Sequence, residues 1–334
     1  MTETPPPIPP IEPGETFSRF GKWCAAKPAA AALLAACTGA VVYFLGFLPA
    51  FRNGTRSAMH WASEAWNSEN NQEHCWFIIP VAFFIVWSHR GDLQRARKEP
   101  SNAGLAWVAA GVISFIVSSW TLEPRIAIFS LALLIYGGVQ YLWGREAARI
   151  FFFPCLFLLF MVPVGGLTQR TNDLQLLVAS TVKTLSSLIG VKVVAVGTDL
   201  HAVDGTFNFN IAGGCSGIRS LMAMVTLSAL YVHFTQRVVW KQLVIFGSSI
   251  VFAVIGNIGR VFSVVLVAKF IDNDFAGGPY HDWSGFIFFP IAVGAMVGFT
   301  KLLNADWRKF AADAMKPEVP RNATKTREPI SYDY

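Results

Sequence analysis

Charge is scarce in this chain. Of its 334 residues only 14% are Asp, Glu, Lys or Arg, while 53% are hydrophobic. A soluble domain carries about a quarter charged residues. The shortage excludes an ordinary soluble enzyme and points to an all-α, polytopic membrane protein. Cysteine is sparse and scattered: Cys24, Cys37, Cys75, Cys155 and Cys215 form no CxxC pair. Neither a zinc centre nor a disulfide framework is expected, and no cofactor is implied. The N-terminus, Met1-Thr2-Glu3-Thr4 followed by prolines, lacks the basic-then-apolar order of a cleavable signal peptide. No internal repeat suggests a transporter of two related halves. The net charge of +6 does not call for nucleic acid, because the basic residues sit in short loops between apolar runs, where membrane topology accounts for them.

Aromatics are abundant, with 28 Phe and 11 Trp, as lipid-facing and interfacial helices require. The apolar runs predict eight membrane spans, near 29–49, 73–87, 103–120, 126–143, 150–163, 215–234, 242–270 and 284–303. A span needs roughly 17–25 residues, so the second and fifth are short and rely on their flanks. Arg19, Lys22 and Lys27 precede the first run. Arg90, Arg95, Arg97 and Lys98 follow the second, and Arg145 and Arg149 follow the fourth. Arg237 and Lys241 follow the sixth, and Lys301, Arg308 and Lys309 mark the end of the last. With positive charge inside, both termini are cytoplasmic. Residues 1–28 read as a disordered, Pro-rich tail, 29–303 as the membrane domain and 304–334 as a basic tail.

Two outer segments are long. Residues 50–73 hold Trp61 and Trp66 and suit an interfacial helix. Residues 167–188 read as an amphipathic helix, with Leu174, Leu177, Val178, Thr181, Leu185 and Leu188 at helical spacing and Gly190 to end it. Residues 191–196 and 201–209 look extended, with turn residues at Gly197 and Asp204-Gly205. They predict a small hairpin that delivers the chain to Cys215.

The chemistry gathers around Ile211-Ala-Gly-Gly-Cys-Ser-Gly-Ile-Arg219. Here a cysteine stands at the mouth of an apolar helix, and Arg219 follows four residues later on the same face. A nearby cation or a helix N-terminus favours the thiolate. A lone cysteine in such a place is ordinarily a small buried hydrophobe. The expected topology, however, brings Arg260 and His281 to the same outer face. An arginine at a membrane helix with no adjacent acid is a functional-site hypothesis; the alternative is snorkelling to head groups. A Cys, a His and a cation at one depth are the parts of thiolate attack on a carbonyl. His74 and His201, also expected outside, are competing proton carriers. The acid that orients His281 is left open among Asp272, Asp274 and Asp282.

Three blocks also resemble a known family. Gly214-Cys-Ser-Gly-Ile-Arg-Ser-Leu221, Gly256-Asn-Ile-Gly-Arg-Val261 and His281-Asp-Trp-Ser-Gly285 look like the signature blocks of the exosortase/archaeosortase family. Phe153 to Pro163, Leu174 to Ser180, Gly190 to Val193 and His74 to Pro80 extend the likeness over about residues 70–300, with Cys75 where a glycine is more usual. The resemblance implies a membrane cysteine protease or transpeptidase in the cytoplasmic (inner) membrane. It implies Cys215 as nucleophile, His281 as general acid/base and Arg260 as oxyanion or positioning cation. Arg219, Asn257, Ser216 and Gly217 would be supporting residues. Its substrates would be exported, membrane-anchored proteins whose C-terminal sorting signal is a short motif, an apolar helix and a basic cluster. Membrane lipids would be the other partner. The competing readings are a transporter, or a non-enzymatic scaffold, in export of a lipid-linked polymer or exopolysaccharide. The transporter predicts a polar path with acids or bases in mid-span, which the spans nearly lack; the scaffold predicts that these residues can be replaced without effect.

Overall fold

The computed structural model of the chain describes residues 18, 21–22, 24–26, 28–51, 56–67, 72–163, 172–210 and 217–305. Positions 18, 21–22 and 24–26 are already helical, ahead of the start expected at 29. Among the described residues five helices are long and apolar enough to cross a membrane, and two shorter apolar helices, Ala35–Phe47 and Glu73–Ser88, accompany them.

In chain order, α1 (Pro28–Val42) passes into a π turn, Tyr43–Phe47. The short α2 (Ala58–Ala65) is capped by Ser57, whose hydroxyl accepts from the His60 amide, satisfying an amide that the helix itself leaves unpaired. A 3₁₀ turn, Glu73–Phe77, opens α3 (Ile78–Ser88), and α4 (Arg90–Arg95) follows. Then come α5 (Ala103–Thr121) and α6 (Pro124–Phe157), which ends in a 3₁₀ turn at Leu158–Met161.

The stretch from Pro124 to Met161 is not one rod. Gly144 leaves helical geometry, with φ +86° and ψ −177°, a region open essentially to glycine alone. A side chain there would run into the Glu99 carbonyl. A straight helix from Arg125 to Phe157 would separate its ends by about 48 Å. Instead the Arg125 side chain donates from Nε to the carbonyl of Pro163 at 2.9 Å. The helix therefore folds back at Gly144 into two arms. Against the first arm α5 packs closely: a Cβ on Gly104 would sit 2.6 Å from the Gly137 carbonyl oxygen, the small-residue approach typical of membrane helices.

The remaining elements build the region of interest. The amphipathic helix α7 (Asn172–Leu188) ends as expected at Gly190, φ +83°. The Val191 amide donates to the Ser186 carbonyl and the Gly190 amide to that of Ser187, a Schellman cap. Its buried stripe overlaps the expected one only in part: Val178 is buried, and Leu174, Thr181 and Leu185 are half-buried. Gln175, Val178, Ala179, Val182 and Ser186 face inward, whereas Leu177 and Leu188 are exposed. The stripe is shifted by one position because small and β-branched residues allow a closer approach to the helix beneath. Leu176, Leu177 and Leu188 are left for the outside.

Strands β1 (Val193–Val196), β2 (Asp199–Ala202) and β3 (Asn208–Asn210) follow. They form an antiparallel sheet in the order β1-β2-β3, with Val193 opposite Ala202 and Leu200 opposite Phe209. The expected hairpin is thus a three-stranded meander. A second turn, with Gly205 at φ +74°, breaks the 201–209 stretch. Asp204 holds that turn, accepting from the Thr206 amide and hydroxyl at 3.2 and 2.7 Å.

The last helices are α8 (Ile218–Thr235), α9 (Val239–Phe270), the one-turn α10 (Asn273–Phe275) and α11 (His281–Asn304). With 32 residues, α9 is about 48 Å long, well beyond a 30 Å hydrocarbon core. Its excess has a use. Val261, Val264, Val265 and Ala268 form one core with Val178 and Val182 of α7, with Leu200 of β2 and with Phe207 just before β3. Lys269 pairs with Asp204, pinning the meander to the end of α9. A second core, with Met224, Ile245, Ala253, Ala292 and Met296, binds α8, α9 and α11 together, and Ser228 donates to Ser249 at 3.0 Å inside it.

Candidate active site

Two sets of helix ends separate cleanly. At one end the Arg97 amide meets Glu146, Lys241 meets Asn304, and the rings of His89 and His233 lie 5.7 Å apart. At the other end Trp66 donates to the Met161 carbonyl, Arg125 to that of Pro163, and Arg219 meets Glu73. Every described residue of the expected catalytic set lies at this second end.

Cys215 and Ser216 fall outside the described residues. Their neighbour Gly217 is in the left-handed conformation, φ +70°, directly before α8. It is packed so tightly against Asn257 that a Cβ would lie 2.6 Å from the amide nitrogen. A larger residue would therefore be both strained and obstructed. Asn257 is buried in α9, one turn before Arg260.

Among the described residues no acid pairs with Arg260. Its Nε donates to the Ser284 hydroxyl at 2.9 Å and its Nη2 to the His281 carbonyl at 3.1 Å. It thus bridges from α9 to the first turn of α11. Those two bonds satisfy part of the guanidinium, which makes the cation tolerable at a helix otherwise apolar. Arg260, Asn257 and Ser220 line a small recess between α8, α9 and α11, with Met224 and Phe288 on its apolar side.

The His281 ring is largely covered, its side chain 23% exposed, and its Nδ1 is 3.4 Å from Asp282 Oδ1. Of the three candidate acids, Asp282 is the one next to the ring, although it is 83% exposed and the contact is long for a hydrogen bond. Asp272 is otherwise engaged: its Oδ1 accepts from the Phe275 amide at 2.6 Å and caps α10. Phe209 of β3 approaches the same turn, lying 3.3 Å from where a Cβ on Gly277 would be.

Arg219, in the first turn of α8, is exposed, and its Nε lies 3.3 Å from Glu73 Oε2. That brings the opening of α3 into the site. His74 follows Glu73, with Nε2 at 3.8 Å from the sulfur of buried Cys75. His201 sits in β2, opposite Val194 and Asn208. Glu73 and Ser284 were given no role by sequence reasoning. An acid at the mouth of an apolar helix is a usable signal, since it needs a partner. Ser284 had a weaker one, its place three residues after His281. No group of three or more metal-binding side chains occurs among the described residues.

A family model described as transmembrane exosortase matches residues 66–298. The chain belongs to the exosortase family. The match runs from Trp66 to Gly298 and takes in both arms of α6, the three-stranded sheet, α8 to α10 and most of α11. No curated protein and no solved structure matches the chain. As an exosortase, it is a multi-pass membrane protein of a family of sorting-related peptidases.

Proposed function

We propose that this exosortase is a membrane thiol peptidase or transpeptidase that cuts C-terminal sorting signals from exported proteins at the outer face of the cytoplasmic membrane. The carrying observation is the bridge from Arg260 to the His281 carbonyl, beside a Gly217 locked against Asn257. Two peptide links separate Gly217 from Cys215, roughly 8 Å of chain at most. An arginine, a histidine and the flank of a cysteine thus belong to one end of one helix group.

Eight crossings account for the helices. The five long ones, the two shorter ones and the fold at Gly144 together supply eight apolar legs. With the Arg97, Lys241 and Asn304 end inside, both termini are cytoplasmic and the site faces out.

The chemistry follows. His281 accepts the proton of Cys215, and the thiolate attacks the scissile carbonyl carbon. Arg260 stabilises the oxyanion. As the C–N bond breaks, the imidazolium gives its proton to the departing amine, leaving a thioester. Water or an acceptor amine, deprotonated by His281, attacks the thioester carbonyl and expels the sulfur. The substrate's own apolar helix, lying beside α8 to α11 in the bilayer, supplies proximity.

The test is processing of a tailed substrate by cells carrying Cys215→Ala, Arg260→Ala or His281→Ala at equal enzyme level. Each variant is expected to leave the precursor uncut. Normal processing by the Cys215 variant would overturn the proposal, and would favour a transport or scaffolding role.

A further inference from the structure

Ser284 is fully buried, with 0% of its surface exposed, and both faces of its hydroxyl are used. The hydroxyl donates to the His281 carbonyl at 2.7 Å, a common backbone bond for a serine in a membrane helix. Its oxygen also accepts from Arg260 Nε at 2.9 Å. Arg260 Nη2 closes the figure on the same His281 carbonyl at 3.1 Å. Three groups therefore form a ring of hydrogen bonds that joins the cation on α9 to the turn that begins with the histidine.

Geometry gives this ring a job. A guanidinium has five N–H donors fixed in one plane. Anchoring Nε and one Nη2 hydrogen on two points fixes both the plane and the rotation of the group. Three donors have no partner among the described residues. They are held at set angles rather than swept by a flexible side chain. Gly285 completes the seat: a Cβ there would meet Arg260 Cζ at 3.7 Å, so the backbone lies close under the charge. Donors aimed before the reaction stabilise a developing oxyanion far better than donors that must reorganise.

We propose that Ser284 is a positioning residue of the peptidase, holding Arg260 toward the scissile carbonyl and locking it to the helix turn that bears His281. This rests on Arg260 being the cation of a thiol peptidase. Replacing Ser284 by alanine keeps the helix but leaves Arg260 Nε without its acceptor. The guanidinium then turns freely about its remaining anchor. Threonine keeps the hydroxyl; cysteine keeps the size with a much weaker acceptor.

The experiment is steady-state processing of a purified substrate ending in an apolar helix and a basic cluster, by the full-length enzyme in detergent. Rates are normalised to monodisperse protein. In Ser284→Ala, kcat is expected to fall about tenfold to a hundredfold with KM nearly unchanged. Ser284→Thr should recover most of the rate. In an Arg260→Lys background, Ser284→Ala should add little, because lysine has no Nε–H to lose. Should Ser284→Ala fail to accumulate, Ser284→Cys takes its place, with the same expected fall. Full rate in the alanine or cysteine variant overturns the inference. So does a loss that threonine does not rescue and that multiplies with Arg260→Lys, since that marks a purely structural serine. Cys215→Ala run alongside separates the two levels: if it still cuts, the thiol-peptidase reading itself fails.

Discussion

Glu73 and Arg219 meet at 3.3 Å between Oε2 and Nε, across 146 residues of chain. The pair ties the opening of α3 to the first turn of α8, four residues after Cys215. Its side chains are 44% and 58% exposed, so its contribution to stability is small, about 0–1 kcal/mol. Its effect is expected in placement instead. Glu73→Arg should slow processing about tenfold, the scale on which a slightly misplaced group acts, while the melting temperature stays near that of the parent. The charge-swapped double variant, Glu73→Arg with Arg219→Glu, should recover most of the rate. A double variant as slow as the single one would show that the pair does not matter as a pair.

Asp282 stands next to His281 but is largely in water, and its contact with the ring is long. A buried orienting acid would be worth orders of magnitude in rate. An exposed one is worth no more than about fivefold. Asp282→Asn should therefore retain at least about a fifth of kcat, while His281→Ala abolishes turnover. A collapse in the asparagine variant would show that the carboxylate closes on the ring when substrate binds.

Gly144 makes the fold of α6 possible. Its φ of +86° with ψ near 180° is closed to other residues, and the Glu99 carbonyl blocks a side chain. Gly144→Ala should destabilise by about 1–3 kcal/mol from backbone strain alone, with the collision in addition. The readout is loss of monodisperse protein or a lower thermal midpoint in detergent. An unchanged midpoint would mean that the two arms are joined in some other way.

The helices were legible in the sequence because length and apolarity decide them, and the same was true of the fold at Gly144, since Arg145 and Arg149 demanded a polar turn. Which face of α7 is buried was legible only in part: Val178 was expected inside and is, but Ala179 and Val182 were not expected and Leu177 and Leu188 are exposed. Leucine spacing marked the larger apolar residues, whereas packing on α9 also selected Ala179 and Val182 for their size. The third strand was hidden because Asp204-Gly205 reads equally well as the end of a hairpin or the middle of a meander. Arg260 and His281 could be placed at one end by counting residues along helices. Their shared link through Ser284 could not, because it depends on how α9 and α11 are rotated against each other. Glu73 was overlooked for a similar reason, its partner being far away in the chain.

Asp204 supplies the pH dependence. Its hydrogen bonds from Lys269 and then from Thr206 lower its pKa from 3.8 to about 2. The folded protein therefore prefers the ionised carboxylate. That preference stabilises the meander fully above about pH 4 and is lost as pH falls through about 2. The difference in thermal midpoint between the parent and Asp204→Asn should be present at pH 7, and should shrink between pH 4 and pH 2. A difference that persists at pH 2 would assign it to side-chain shape rather than charge.

The central claim is that sulfur breaks the amide, and trapping the intermediate tests it most directly. Purified enzyme is mixed with tailed substrate, quenched in acid and mapped by mass spectrometry. An adduct with the mass of the substrate's upstream portion is expected on the peptide containing Cys215. It should be released by neutral hydroxylamine and be absent in Cys215→Ala. Continued cleavage with no adduct on Cys215, or an adduct on a different residue, would contradict the account.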